Sequence, residues 1–166
     1  EPELHVHAFS PLELHHGAET LGLGIEDYLR VLMKAGLDTV PGTAAEILDD
    51  RVRAKICPDK LSAGQWLDTM AAAHRVGLRS TATIMFGHVD HAEHWATHLL
   101  AVRQLQLQTG GFTEFVPLPF VAREAPLYRR GQARPGPTRE ESRGMHAIAR
   151  IVLGDVIRNI QASWTK

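Results

Sequence analysis

The chain has 166 residues, 44% hydrophobic and 22% charged, a globular composition with room for one ordinary domain. Eighteen basic against nineteen acidic side chains leave a formal charge of −1, which removes the electrostatic case for nucleic acid or an anionic membrane. A single cysteine, Cys57, excludes an internal disulfide and any four-cysteine zinc or iron–sulfur ligation from this chain alone. No apolar run approaches the ~20 residues of a membrane span and no signal-peptide layout is seen, so a cytoplasmic protein is expected. Glu1-Pro2-Glu3 lacks an initiator methionine and runs straight into a strand-like segment, which suggests a piece whose beginning lies upstream.

Residues 4–9 alternate and stop at Ser10-Pro11, the pattern of a strand and its end. Residues 26–35, with Ile25 just before them, show Ile25, Leu29 and Leu32 at helical spacing, with Gly36 as a C-cap. A short strand at 38–40 meets Pro41-Gly42, after which Thr43 and Glu46 have the spacing of a capping box at a helix start. Ser62 opens a helix through Trp66, Met70 and Ala73 that Gly77 closes. Residues 79–86 read as a strand, 90–108 as a long helix, and 112–118 as a strand released by Gly110-Gly111. A proline-rich loop at 123–137 leads to a last helix at 139–157. Strand and helix alternate at a spacing that calls for parallel strands joined by right-handed crossovers, an α/β fold. In such folds the C-terminal strand ends carry the chemistry. Those ends are taken here to be His7 and Ser10, Gly42 to Glu46, Gly87-His88, and Glu114.

Ten histidines are a high count. His5 and His7 form an HxH whose rings share one face of a strand, an arrangement that either binds a catalytic metal or merely hydrogen-bonds its neighbours. His91, His94 and His98 share a helix face at metal-ligand spacing, but no HExxH is present and a solvated face is the plainer reading. His88 stands apart, beside a glycine at a strand end. The turn Gly42-Thr43-Ala44-Ala45-Glu46 offers small residues, free amides and a carboxylate, which suits either a polar ligand or an ordinary helix cap. Cys57 precedes a proline with no activating partner nearby in sequence, and reads as structural.

Six strings occur in order along nearly the whole chain: LHVHAFSP, PGTAAEILDD, ICPDKL, STATIMFGHVD, TGGFTEFVPLPF and NIQASW. Together they resemble the C-terminal part of the tyrosine-handling domain in the FO synthase family, radical S-adenosylmethionine enzymes that make the deazaflavin chromophore. Radical enzymes of the menaquinone pathway share weaker versions of the same strings. The resemblance implies a partial (β/α)6 TIM-like barrel, with residues 1–166 supplying its third to sixth strands and a C-terminal helix. It implies an enzyme in which a four-iron four-sulfur cluster and S-adenosylmethionine start a radical transfer. The 4-hydroxybenzyl group of tyrosine would then join 5-amino-6-(D-ribitylamino)uracil. The family's CxxxCxxC cluster loop is not in this sequence, so this piece alone is expected to be inert.

Residues 83–90 lie on the family's GxIxGxxE pattern. Gly87 matches and Asp90 replaces the acid, whereas Thr83 and Met85 depart from the pattern. The resemblance thereby assigns Thr83, Gly87, Asp90 and Val116 to S-adenosylmethionine, Gly87 by close backbone approach to the adenine. It assigns His7, Ser10, Glu46, His88 and Glu114 to tyrosine or the ribityl-uracil, and no metal ligand to this chain. Ala122 stands where a polar residue is expected after PLPFV. Rival readings are the menaquinone-pathway relative, a metal hydrolase built on His5 and His7, and a binding module. Unpaired strand edges would in any case favour self-association of the piece.

Overall fold

Ser10 is followed three residues later by Glu13, and in the computed structural model, which describes residues 4–163, the two form a capping box rather than the end of a strand. The Glu13 amide donates to Ser10 Oγ at 3.3 Å while the Ser10 amide donates to the Glu13 carboxylate at 2.8 Å, and helix α1 (Pro11–Leu21) starts there. Residues 4–9 accordingly make only one parallel bridge, His7 to Thr39, in place of the expected strand. Phe9, with φ of 66°, turns the chain out of extended geometry just before the helix.

Helix α2 (Ile25–Lys34) leads to strand β1 (Thr39–Val40), and α3 (Asp50–Ile56) and α4 (Ala63–Arg75) lead to strand β2 (Arg79–Phe86). Helix α5 (Ala92–Thr109) then joins strand β3 (Phe112–Pro119). A single turn, α6 (Pro126–Arg129), and helix α7 (Arg139–Leu153) precede strand β4 (Asn159–Ile160). The four strands form one sheet in the order β1-β2-β3-β4, every pair parallel. This matches the expected α/β class and is compatible with part of a TIM-like barrel.

The helix expected from Thr43 does not form. Ala44 and Glu46 both take left-handed backbone, with φ of 58° and 46°, and the next helix waits for Asp49, whose carboxylate caps α3 through the Arg51 amide at 2.9 Å. The last helix also stops earlier than expected, at Leu153, to release β4.

The pleat divides the sheet's side chains. From Thr81 onward, β2 and β3 pair in steady register, with Thr81 opposite Glu114, Thr83 opposite Val116 and Met85 opposite Leu118. Ala82, Ile84, Phe86 and Phe115 alternate with these and are fully buried against the helices. Trp66, Met70, Leu99, Met145 and Leu153 close that core from α4, α5 and α7. The opposite face, carrying Thr39, Thr81, Met85, Glu114, Val116 and Leu118, is only partly covered.

Candidate functional site

The sequence-predicted residues separate into two places. His7, Thr83, Glu114 and Val116 lie on or beside the open face, whereas Ser10, Glu46, Gly87, His88 and Asp90 lie at the C-terminal rim of the sheet or in the turns above it. Glu114 is therefore not at a strand end with Gly87. Strand β3 begins at Phe112, which makes Glu114 its third residue, opposite Thr81, whereas Phe86 beside Gly87 pairs with Pro119.

On the open face, His5, His7, Thr39, Ser80, Thr81, Thr113 and Glu114 line a cavity of about 290 Å³. The Thr39 hydroxyl meets both histidines, His5 Nε2 and His7 Nδ1, each at 2.8 Å. Gln161, just beyond β4, donates its side-chain amide to the Glu114 carboxylate. The face then changes character along the strands, from this polar group to Met85, Val116 and Leu118 nearer the rim. Among the described residues no group of three His, Cys, Asp or Glu side chains is arranged to hold a metal ion, so the hydrolase reading of His5 and His7 lacks a ligand set.

Part-way along β2, two threonines do the work of a missing strand. Pro41 ends β1, and the Gly42 amide then donates to Thr81 Oγ1 at 2.8 Å while the Thr83 hydroxyl donates to the Gly42 carbonyl at 2.7 Å. A side chain at 42 would lie 2.2 Å from the Thr81 carbonyl oxygen, so only glycine fits between them. Beyond the turn, the Glu46 carboxylate pairs with Lys60 at 2.6 Å, and its carbonyl accepts the Met85 amide at 2.9 Å.

Asp90 is buried and fully employed. Its carboxylate accepts the Gly87 amide at 2.8 and 2.9 Å, the His88 amide at 2.6 Å and the Trp95 indole N–H. Burial alone would raise its pKa; the donors outweigh that and hold it below the usual range. His88 is 1% exposed, with Nε2 3.0 Å from the Met85 carbonyl and Nδ1 accepting the Val89 amide at 2.7 Å. Burial lowers its pKa against the opposing pull of Asp90, so the ring is a neutral internal brace. Ser10 is likewise occupied as the α1 cap.

The family's cofactor fits this segment poorly. Gly87 has φ of 95°, and the space a side chain would take is filled by the Pro137 ring, 2.3 Å from the Cβ position, so its bareness serves that contact. Asp90 and Thr83 both spend their polar atoms inside the protein, which leaves Val116 as the residue with open surface among the four assigned to the cofactor. Cys57 caps α3, is buried, and has its thiol pKa raised by burial, as the structural reading expected. One cysteine does not make an iron–sulfur site.

A larger cavity, about 1060 Å³, lies between the end of β3, the loop to α7, and α7 itself. Its walls include Phe86, Phe120, Ala122, Arg123, Arg143 and His146, and apart from Ala122 none of these was singled out in the sequence. Phe120 follows the proline-rich end of β3, and Arg143 and His146 sit one helical turn apart, the faint signals that could have found them.

No family model matches the chain. It is 56% identical over 165 residues to the FO synthase of Nocardia farcinica, a match covering 99% of this chain and 19% of that protein. It is 52% identical over 165 residues to the 5-amino-6-(D-ribitylamino)uracil–L-tyrosine 4-hydroxyphenyl transferase of Methanothermobacter thermautotrophicus, covering 99% of this chain and 45% of the relative. The transferase of the same name from Methanocaldococcus jannaschii is 46% identical over 164 residues, with 99% and 46% covered. The chain spans less than half the length of each of these relatives. Over almost all of its own length, then, this chain is a homologue of the FO synthases and of the 5-amino-6-(D-ribitylamino)uracil–L-tyrosine 4-hydroxyphenyl transferases, similar to one segment of them.

Proposed function

We propose that the chain is the substrate-orienting part of an enzyme that transfers the 4-hydroxybenzyl group of tyrosine to 5-amino-6-(D-ribitylamino)uracil in deazaflavin biosynthesis. The observation that carries this reading is the graded open face of the sheet. Its deep end offers histidine, threonine and glutamate side chains around a small cavity, a match for the hydroxyls and amides of a ribityl-uracil. Its outer end offers Met85, Val116 and Leu118, apolar side chains against which a hydroxyphenyl ring can lie. The rim adds the Glu46–Lys60 ion pair, a charged group able to orient an amino acid.

The radical chemistry belongs to S-adenosylmethionine and a four-iron cluster, whose cysteine ligands this chain does not supply; by itself the chain is inert in this reading. Its own residues bind, orient and shield. Val116 remains the residue here that a cofactor could touch. The names of the relatives favour the deazaflavin branch over its menaquinone-pathway cousins.

The test uses the enzyme made from the complete coding sequence. Glu114→Gln and Glu46→Gln each remove a charge-assisted hydrogen bond worth about 1.5–3 kcal/mol, one to two orders of magnitude in rate if felt at the transition state. Coupled product should fall by that factor while deoxyadenosine from cofactor cleavage persists, both quantified in the same anaerobic assay. A strictly proportional fall in the two would mean that these residues serve the cofactor or the fold.

A further inference from the structure

Arg53, in α3, is 3% exposed, and its guanidinium is held by main-chain carbonyls, with no ion pair to a carboxylate among the described residues. Nε donates to the Leu61 carbonyl at 2.8 Å and Nη2 to those of Leu61 and Ala44, the latter at 3.3 Å. Nη1 donates to the carbonyls of Ala45 and Ile47, the two residues that flank Glu46. Burying a cation without an acid is costly, so its retention has to be explained by what it grips. It grips a turn in which Ala44 and Glu46 both adopt left-handed backbone, a conformation that L side chains rarely hold without support. The same turn is pinned from the other side by the Met85 amide on the Glu46 carbonyl. Between these two anchors the Glu46 carboxylate meets Lys60 Nζ at 2.6 Å.

We propose that Arg53 is the positioning residue of this site: by coordinating the carbonyls on both sides of Glu46 it forces the left-handed turn that aims the Glu46 carboxylate at the substrate. The inference rests on the reading of Glu46 as a substrate-orienting group. No lysine can replace the arginine, because an ammonium on a flexible stem cannot offer a planar fork to four carbonyls at once.

The experiment compares Glu46→Gln, Arg53→Lys and their combination in the enzyme from the complete coding sequence, with Ala44→Gly added to Arg53→Lys as a rescue. Arg53→Lys should lower coupled product about tenfold, through kcat rather than the KM for S-adenosylmethionine, and the double variant should be no worse than Glu46→Gln alone. Glycine at 44 adopts left-handed backbone without strain, so it should recover about threefold or more of the loss, which no general defect in folding would allow. Exchange of the Ile47 and Leu48 amides, read by hydrogen–deuterium exchange, should quicken about tenfold or more in Arg53→Lys and slow again with Ala44→Gly. Additive losses, the absence of rescue, unchanged exchange, or an Arg53→Lys chain that fails to fold even with Gly at 44 would each overturn the proposal. A neutral Glu46→Gln with quickened exchange in Arg53→Lys would instead sink the substrate reading of Glu46 and leave the clamp standing.

Discussion

His98 is completely buried on α5, and its Nδ1 accepts the Leu48 amide at 3.1 Å, which obliges the neutral ring to carry its proton on Nε2. Burial pushes its pKa down from 6.5 to about 3, with the Thr83 backbone pulling weakly the other way and Arg53 adding to the fall. His74, wedged between Ser80 and Thr109, is pushed down to about 4, again chiefly by burial. Unfolded, both rings take up a proton near 6.5, so the unfolded chain binds more protons below that pH. Stability should therefore be full above pH 6.5 and fall as the pH drops toward 4, by roughly 1.4 kcal/mol per pH unit for each ring. Denaturant unfolding at a series of pH values checks this, and His98→Gln should flatten the slope by one proton's worth; a flat profile for the parent chain would contradict it. The burial of His98 was legible. Trp95, His98, Leu99, Val102 and Leu105 share one helical stripe, and reading the histidines as a set of their own obscured it. That His88 and Asp90 would be consumed by their own turn was not legible, because only the folded loop shows which amides their side chains meet.

Among the elements, β1 is two residues long, yet the turn that follows it is fastened to β2 by two hydroxyls instead of a ladder. Gly42→Ala should be among the most damaging small changes in the chain. The added methyl sits 2.2 Å from the Thr81 carbonyl oxygen and 2.8 Å from Ala82 Cα, both backbone, so neither can swing aside. A loss of about 1–3 kcal/mol is expected from overpacking of this kind, read as a lowered denaturant midpoint with unchanged m-value. The long periodic elements, α4, α5, β2 and β3, were readable nearly to the residue because their apolar spacing repeats over several turns or pleats. Helix α1 was also written in the sequence, as Ser10-Pro11 followed by Glu13, but alternation in residues 4–9 suggested a strand and its stop. Helix α3 was not. It follows a turn with two non-glycine residues in left-handed backbone, whose carbonyls are gripped by Arg53 of α3 itself, a contact that no spacing in the sequence announces.

For the molecule as a whole, the parallel order of the sheet followed from the alternation of strands and helices, but the behaviour of its edge did not. The Phe115 carbonyl accepts from the Gln161 amide, and main-chain groups alternate sides along a strand, so Pro117 and Pro119 stand on the same β4 side of β3. Neither has an N–H to donate. Past Phe115 this edge is a poor template for another strand, which argues against the sheet-to-sheet association expected from unpaired edges. The double variant Pro117→Thr/Pro119→Thr should associate at lower concentration than the parent chain in light scattering. Equal association of the two would show that the prolines do not guard the edge. None of the described helices is long and apolar enough to cross a membrane.

The coordination of Arg53 also bears on how such a sequence can drift. An ion pair between two side chains can be inverted or rebuilt, since both partners are written in the gene and a change in one can be answered by a change in the other. The carbonyls of Ala44, Ala45, Ile47 and Leu61 are not written in the gene at all; every amino acid brings the same one. No substitution at those four positions can change the carbonyl that is gripped, so the loss of Arg53 can be answered only by relaxing the turn itself, as glycine at 44 would. In a library randomised at 44, 45, 47, 53 and 61, the most active clones should return varied residues at the carbonyl positions, within what packing allows, and arginine at 53, with lysine at 53 surviving only beside glycine at 44.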